Sequence, residues 1–70
     1  MNISSREIEA ILKKHGFSLI RQKGSHRQFI GFIQGKKRRV TVIANQKGFA
    51  IGTFKSMVRQ SGLPEEEFQA

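Results

Sequence analysis

A chain of 70 residues is expected to form one small domain, and the absence of cysteine excludes disulfides and thiolate metal sites. Thirteen Lys and Arg against five acidic residues give a net charge of +8, which favours a polyanionic partner such as nucleic acid. No apolar run approaches the roughly 18 residues of a membrane span, and no secretory signal is recognisable, so a cytoplasmic protein without membrane association is expected.

The first predicted element is a helix over Ser5–His15. Ser4 precedes Glu7 by three residues, which is the spacing of a capping box at a helix start. Gly16 follows as the type of residue that commonly ends a helix. The apolar positions recur at helical spacing and are Ile8, Ile11 and Leu12. This stripe predicts that one face of the helix is buried.

Three strands are predicted next, over Phe17–Lys23, His26–Ile33 and Arg38–Ala44. Gly24-Ser25 is a two-residue turn typical of a hairpin, and Gly35 gives the second connection its conformational freedom. Because parallel neighbours would need a long crossover, strands joined by such short turns are expected to form an antiparallel meander.

A loop over Asn45–Gly52, anchored by Phe49 and Ile51, is expected to lead to a second helix. Thr53 is the predicted N-cap of this helix, and Gly62 is expected to end it. Its apolar face consists of Phe54, Met57 and Val58.

The chain is interpreted as a single domain over residues 1–63 followed by a short acidic turn over residues 64–70. Pro64 precedes three consecutive glutamates, and proline followed by acidic residues is typical of a first helical turn. Phe68 is expected to pack this turn on the domain.

These elements predict an α+β fold in the order α-β-β-β-α. A helix at either end of the meander can bury its stripe only on the sheet, so both helices are expected on one face of a three-stranded antiparallel sheet. Phe29 and Phe32 have opposite parity in the second strand, so one of them can point outward and stack on a base. Packing against a helix is the favoured interpretation of these rings.

His26 is the candidate catalytic residue, because it follows the Gly24-Ser25 turn and histidine is the usual proton carrier at neutral pH. In ribonucleases without a metal, such a base removes the proton of a 2′-hydroxyl, whose oxygen attacks the adjacent phosphorus. Lys23 and Arg27 are the candidate cations for the transition state. A structural hydrogen bond is the alternative role for His26. For His15, a structural role as a partner of the helix dipole at the end of the first helix is favoured.

No metal or other cofactor is predicted, because the chain lacks Asp and Cys and its glutamates lie near the two ends. The expected RNA-binding residues belong to the two hairpins and are Arg21, Lys23, Ser25, Arg27, Lys36, Lys37, Arg38 and Arg39. The alternative to RNA binding for the basic run at 36–39 is a solvated strand edge, where lysines protect the sheet against aggregation.

Several short segments carry a family resemblance. They are the helix end His15-Gly16-Phe17, the run RQKGSH over Arg21–His26 followed by Phe29, the strand Arg39–Val42, and Gly52-Thr53 leading into Met57–Leu63. In this combination the chain resembles the HicA-type (YcfA-like) mRNA interferase toxins of bacterial toxin–antitoxin modules over residues 4–63.

The resemblance implies a fold like that of double-stranded-RNA-binding domains and RNA cleavage without metal, with His26 as the catalytic residue. It also implies an acidic HicB-type antitoxin that binds the toxin and blocks it. Family members often carry Pro and a second His after the third strand, where this chain has Ile43 and Asn45. Asn45 can form hydrogen bonds but cannot transfer protons, so activity is expected to be weaker or differently targeted if the second His assists catalysis or RNA placement in relatives.

The leading hypothesis is therefore a toxin of a type II toxin–antitoxin system that cleaves mRNA and inhibits translation. The alternative is a non-catalytic basic RNA-binding module, in which His26 contacts a phosphate or a 2′-hydroxyl. A third hypothesis is an interaction protein whose basic surface only binds an acidic partner. An assay with single-stranded RNA in the presence of EDTA distinguishes the three hypotheses. Cleavage indicates the toxin, binding without cleavage indicates the RNA-binding module, and neither indicates the interaction protein.

Overall fold

A computed structural model describes residues 1–69 of the chain. Its elements are α1 (Ser5–Lys14), β1 (Ser18–Lys23), β2 (His26–Ile33), β3 (Lys36–Ile43), α2 (Ile51–Ser61) and a C-terminal 3-10 helix (Glu65–Phe68). The strands form one antiparallel sheet in the order β1-β2-β3. The predicted α+β fold, with the order α-β-β-β-α, is confirmed.

α1 begins with the predicted capping box. The Glu7 amide donates to the Ser4 hydroxyl at 3.1 Å, and the Ser4 amide donates to the Glu7 carboxylate at 2.9 Å. The hydrogen bond that the Glu7 carboxylate accepts from the Ser4 amide, and secondarily the Ser4 side chain, lower the pKa of Glu7 below its usual value. The helix ends at Lys14, one residue before the predicted end, because Gly16 at φ +87° turns the chain away.

Ser5, which no sequence pattern indicated, connects α1 to the end of β3. Its hydroxyl donates to the Ile43 carbonyl at 2.6 Å and accepts from the Gln46 amide at 2.9 Å. Its own amide donates to the Gln46 carbonyl at 2.9 Å. Ser5 is buried, and these bonds satisfy its hydroxyl. They fix where the chain leaves the sheet.

β3 begins at Lys36 and not at Arg38, which corrects the predicted start. Ile33 pairs directly with Lys36, so the turn contains only Gln34 and Gly35. Both turn residues have positive φ, at +56° and +74°, as a type I′ hairpin turn requires. This turn closes the hairpin two residues earlier than the composition indicates, and β3 also ends one residue earlier, at Ile43.

One hydrophobic core lies between the helices and one face of the sheet. From the sheet it contains Phe29, Val40 and Val42, and from the helices Ile8, Leu12, Phe54, Met57 and Val58. Ile11 is partly buried at its edge. Gly31 makes room for Phe17, since a Cβ at position 31 would lie 2.7 Å from the Phe17 ring.

α2 begins at Ile51, and the predicted N-cap Thr53 is wrong. Ala50 occupies the N-cap position, and its carbonyl accepts the first helical hydrogen bond from Phe54 at 2.9 Å. Phe49 is buried as expected, whereas Ile51 is 56% exposed and does not anchor the loop. Gly62 ends the helix at φ +73°, as predicted.

The C-terminal 3-10 helix packs on the domain through Phe68, as expected. Phe68 is buried, and its ring meets Phe54 edge-on with centroids 6.2 Å apart. The last residue of α2, Ser61, is a buried serine that no sequence pattern indicated. The Ser61 hydroxyl donates to the Val58 carbonyl at 2.6 Å and accepts from the Leu63 amide at 3.0 Å.

Candidate nucleic-acid interface

The sheet has one face beneath the helices and one face that they leave uncovered. Phe29 and Val40 pair across β2 and β3 and are fully buried beneath the helices. Because side chains alternate along a strand, their neighbours point the other way. We call this side the open face, and it carries Arg21, Lys23, His26, Gln28, Ile30, Phe32, Lys37, Arg39 and Thr41.

His26 lies at one end of the open face. It is the first residue of β2, it is exposed, and it pairs across the hairpin with Lys23. Within residues 1–69 no side chain forms a hydrogen bond with its imidazole ring. The exposed ring therefore needs to break no side-chain hydrogen bond to meet a ligand.

The turn that precedes His26 is held by two hydrogen bonds to backbone carbonyls. The Gln22 amide group donates to the Gly24 carbonyl at 3.0 Å, and the Ala44 amide donates to the Ser25 carbonyl at 2.7 Å. Gly24 adopts φ +58°, a conformation that glycine reaches without strain. The predicted two-residue turn is confirmed, and it places the Ser25 side chain at the exposed rim beside His26.

A depression of about 900 Å³ surrounds His26 on the open face. Its lining residues come from all three strands and are Arg21, Lys23, Gly24, His26, Gln28 and Thr41. Two of them are cations and none is acidic, so an anion that enters is attracted towards the imidazole. The structure thus brings His26 together with Arg21 and Lys23.

Arg27 lies on the opposite side of the sheet from His26. Its Nε is 2.8 Å from the Glu9 carboxylate on α1, and its Nη1 donates to the Gln22 side chain at 2.7 Å. The guanidinium also lies 5.9 Å from the centre of the Phe29 ring. These contacts link the His26 end of the hairpin to α1 and keep Arg27 out of the depression.

The basic run at 36–39 is divided between the two sides of the sheet. Lys37 and Arg39 belong to the open face, whereas Lys36 and Arg38 alternate to the other side. Lys36 is exposed at the hairpin end. Arg38 packs over the end of α2, where a Cβ at Gly62 would lie 2.7 Å from its guanidinium carbon.

Sequence reasoning missed Gln28 and Thr41, which both line the depression. Gln28 lies two residues after His26, so strand alternation alone could have identified it. Thr41 pairs with Gln28, but that register follows from the turn at Gln34-Gly35, which was predicted too long. The Thr41 amide, on the outer edge of β3, donates to the Gln60 side chain at 3.2 Å.

The second histidine is remote from this site. The Nε2 of His15 lies 2.9 Å from the Glu67 carboxylate, so it connects the end of α1 to the C-terminal 3-10 helix. Asn45 lies in the turn after β3 at φ +62°. It lines a separate depression of about 260 Å³ near Glu9 and Arg27, and it does not line the depression around His26.

Comparison with known proteins gives one family match. The model of a family described as the HicA toxin of bacterial toxin–antitoxin matches residues 5–63. No curated protein matches the sequence. The matched segment contains α1, the whole sheet and α2, and thus every residue of the open face. Within residues 1–69 no three His or Glu side chains cluster as metal ligands, and neither helix has the length and hydropathy of a membrane span.

Proposed function

The chain belongs to the HicA toxin family of bacterial toxin–antitoxin systems, and on that basis we propose that it is an endoribonuclease that cleaves mRNA without a metal ion. Its catalytic residue in this proposal is His26. The observation that carries the proposal is the exposed imidazole in a cationic depression on a sheet face that the helices leave free. Inhibition of translation follows from the loss of intact mRNA.

The His26 imidazole acts as the general base in this mechanism. It removes the proton of a 2′-hydroxyl, and the 2′-oxygen attacks the adjacent phosphorus. The bond from phosphorus to the 5′-oxygen breaks, that oxygen takes a proton from solvent, and a 2′,3′-cyclic phosphate remains. The extra negative charge on the phosphoryl oxygens is stabilised by cations beside the base.

Lys23 and Arg21 are the cations that the geometry favours for this role. Lys23 pairs directly with His26, and Arg21 pairs with Gln28 one step further along the same face. Residues directly opposite each other in antiparallel strands have Cβ atoms about 4.5–5.5 Å apart. A phosphate that reaches the imidazole is therefore within range of both side chains. Arg27 serves in this proposal to position the hairpin.

Cleavage of a single-stranded RNA in excess EDTA tests the proposal. The wild-type protein is expected to cut, and His26→Ala is expected to lose about 10²–10⁴ in rate while its RNA affinity changes only a few fold. His15→Ala is the matched control, since His15 pairs with Glu67 outside the depression, and it is expected to retain cleavage. Full activity of His26→Ala contradicts the mechanism. Binding without cleavage by the wild type indicates a non-catalytic RNA-binding module.

A further inference from the structure

Phe32 is an exposed aromatic ring on the open face. It is 67% exposed, whereas Phe29, three residues earlier on the same strand, is fully buried. Strand alternation accounts for the difference, because Phe29 faces the helices and Phe32 faces away from them. Packing against a helix, the interpretation favoured for both rings, is therefore wrong for Phe32. The exposed ring has no structural role in the core.

Cations flank this ring on the neighbouring strand. Phe32 pairs with Lys37, and the half-buried Ile30, two residues before it on the same face, pairs with Arg39. The sequences of the three strands contain no acidic residue. An aromatic ring among cations, without any carboxylate beside it, matches the chemistry of a polyanion that also presents flat bases.

The ring and His26 lie on the same strand and the same face. Phe32 lies six positions after His26, which corresponds to roughly 20 Å along an extended strand. Between them the face carries Gln28 and Ile30, and Arg21 and Arg39 pair with these two residues from the neighbouring strands. A nucleic-acid strand that crosses this distance would meet cations along its whole path.

We propose that Phe32 stacks on an unpaired base of a single-stranded RNA that runs along the open face to His26. This inference rests on the proposed ribonuclease function and adds to it a binding subsite remote from the cleaved bond. Bases in a duplex are hidden in the stack, so a stacking ring selects RNA that is single-stranded at that point. Stacking tolerates any base, because every base has a π-face.

Fluorescence anisotropy with a labelled single-stranded oligoribonucleotide of about 12 nucleotides tests the stacking subsite. Each protein carries His26→Ala so that the RNA stays intact. Phe32→Ala is expected to weaken binding about 5- to 150-fold, the range for the loss of one base–aromatic stack. Phe32→Tyr retains a ring and is expected to bind as tightly as Phe32. Ile51→Ala, which removes a comparably exposed apolar side chain from α2, is expected to leave affinity unchanged.

A second arm changes the RNA instead of the protein. A series of oligomers carries one abasic site each, placed at a different position in each oligomer. At one position the abasic site is expected to weaken binding as much as Phe32→Ala does. At that position the two changes together are expected to weaken binding no further than either alone. A duplex of the same sequence offers no unpaired base, so it is expected to bind the Phe32→Ala protein and its parent equally well.

The outcomes separate this inference from the proposed function. If the wild type cleaves RNA in EDTA but Phe32→Ala binds RNA like the parent protein, the subsite is overturned and the ribonuclease stands. If Phe32→Ala weakens only the binding of a protein partner, the ring belongs to a protein interface and the subsite is again overturned. If the wild type neither binds nor cleaves single-stranded RNA, both proposals are overturned.

Discussion

Arg21 and Arg27 both belong to the first hairpin, and both are predicted to bind RNA. Their surroundings in the structure differ. Arg21 lines the depression around His26, whereas Arg27 pairs with Glu9, whose side chain is only 12% exposed. An ion pair that shields a nearly buried carboxylate contributes more to folding than an exposed pair, because its loss leaves that carboxylate without a partner. Replacement by alanine should therefore affect the free energy of unfolding and the RNA affinity differently at the two positions.

Arg27→Ala is expected to destabilise the fold by about 1–3 kcal/mol, since Glu9 loses its partner. Arg21→Ala removes the same charge from an exposed position and is expected to change stability by less than about 0.5 kcal/mol while it weakens RNA binding. Urea unfolding and RNA titration of both variants measure these effects. An Arg27→Ala protein that unfolds like the wild type but binds RNA as poorly as Arg21→Ala would return Arg27 to the RNA interface.

Gly31 offers a second test at the scale of one residue. Gly31→Ala places a methyl group 2.7 Å from the Phe17 ring, so we expect a loss of about 1–3 kcal/mol from overpacking. Gly52→Ala is the matched control, because it lies in the first turn of α2 and its added Cβ would meet no packed neighbour within 4 Å outside the local helix backbone. That substitution is expected to stabilise the protein by about 0.4–1 kcal/mol. Urea midpoints that move in the same direction for both variants would contradict the packing argument.

At the scale of elements, β3 presents two pairs of basic residues on opposite sides of the sheet. Lys37→Met with Arg39→Met removes two charges from the open face, and Lys36→Met with Arg38→Met removes two from the other side. Methionine keeps much of the apolar stem that Arg38 packs over Gly62.

The first double variant is expected to reduce the logarithmic salt slope of RNA binding by roughly 0.7 for each phosphate contact that is lost. The second is expected to leave the slope unchanged, although both carry the same net charge. RNA titrations over a range of salt concentrations give the slopes. Equal slopes for the two variants would show that net charge, and not the side of the sheet, determines binding.

Much of the element order could be predicted because local signals agree with the tertiary structure. The capping box at Ser4 and Glu7 and the glycine ends at Gly16 and Gly62 act within a few residues, and all lie where the patterns indicate. The start of α2 was missed because Ala50 caps the helix through its backbone alone, while Thr53, a better capping residue, lies inside the first turn. The side-chain preferences of N-cap residues therefore could not indicate the start of α2.

The candidate site was predictable only in part. The alternation of β2 places His26 and Gln28 on one face, and the two-residue turn pairs Lys23 with His26. Arg27 lies outside this group because it pairs with Glu9. Glu9 belongs to α1 and comes close to Arg27 only when the helix packs on the sheet. Proximity along the chain cannot show such a contact. For the same reason the exposure of Phe32 follows from where the helices lie.

For the whole molecule, the acidic residues all lie away from the open face. The acidic residues belong to α1 and the C-terminal 3-10 helix and are Glu7, Glu9, Glu65, Glu66 and Glu67. The open face carries only cations among its charged residues, namely Arg21, Lys23, Lys37 and Arg39. Because no carboxylate on the open face offsets these cations, that face attracts an acidic protein as well as RNA.

A toxin of such a system has an antitoxin partner, and we expect an acidic HicB-type protein to cover the open face and bury about 1,200–2,000 Å² in total. The complex is then expected to cleave no RNA, and salt is expected to slow its association. Lys37→Glu should slow association more than Lys13→Glu, the same change on the exposed side of α1. Co-purification, a cleavage assay and stopped-flow mixing test these points. A complex that cuts RNA as fast as the free toxin would show that the antitoxin leaves His26 uncovered.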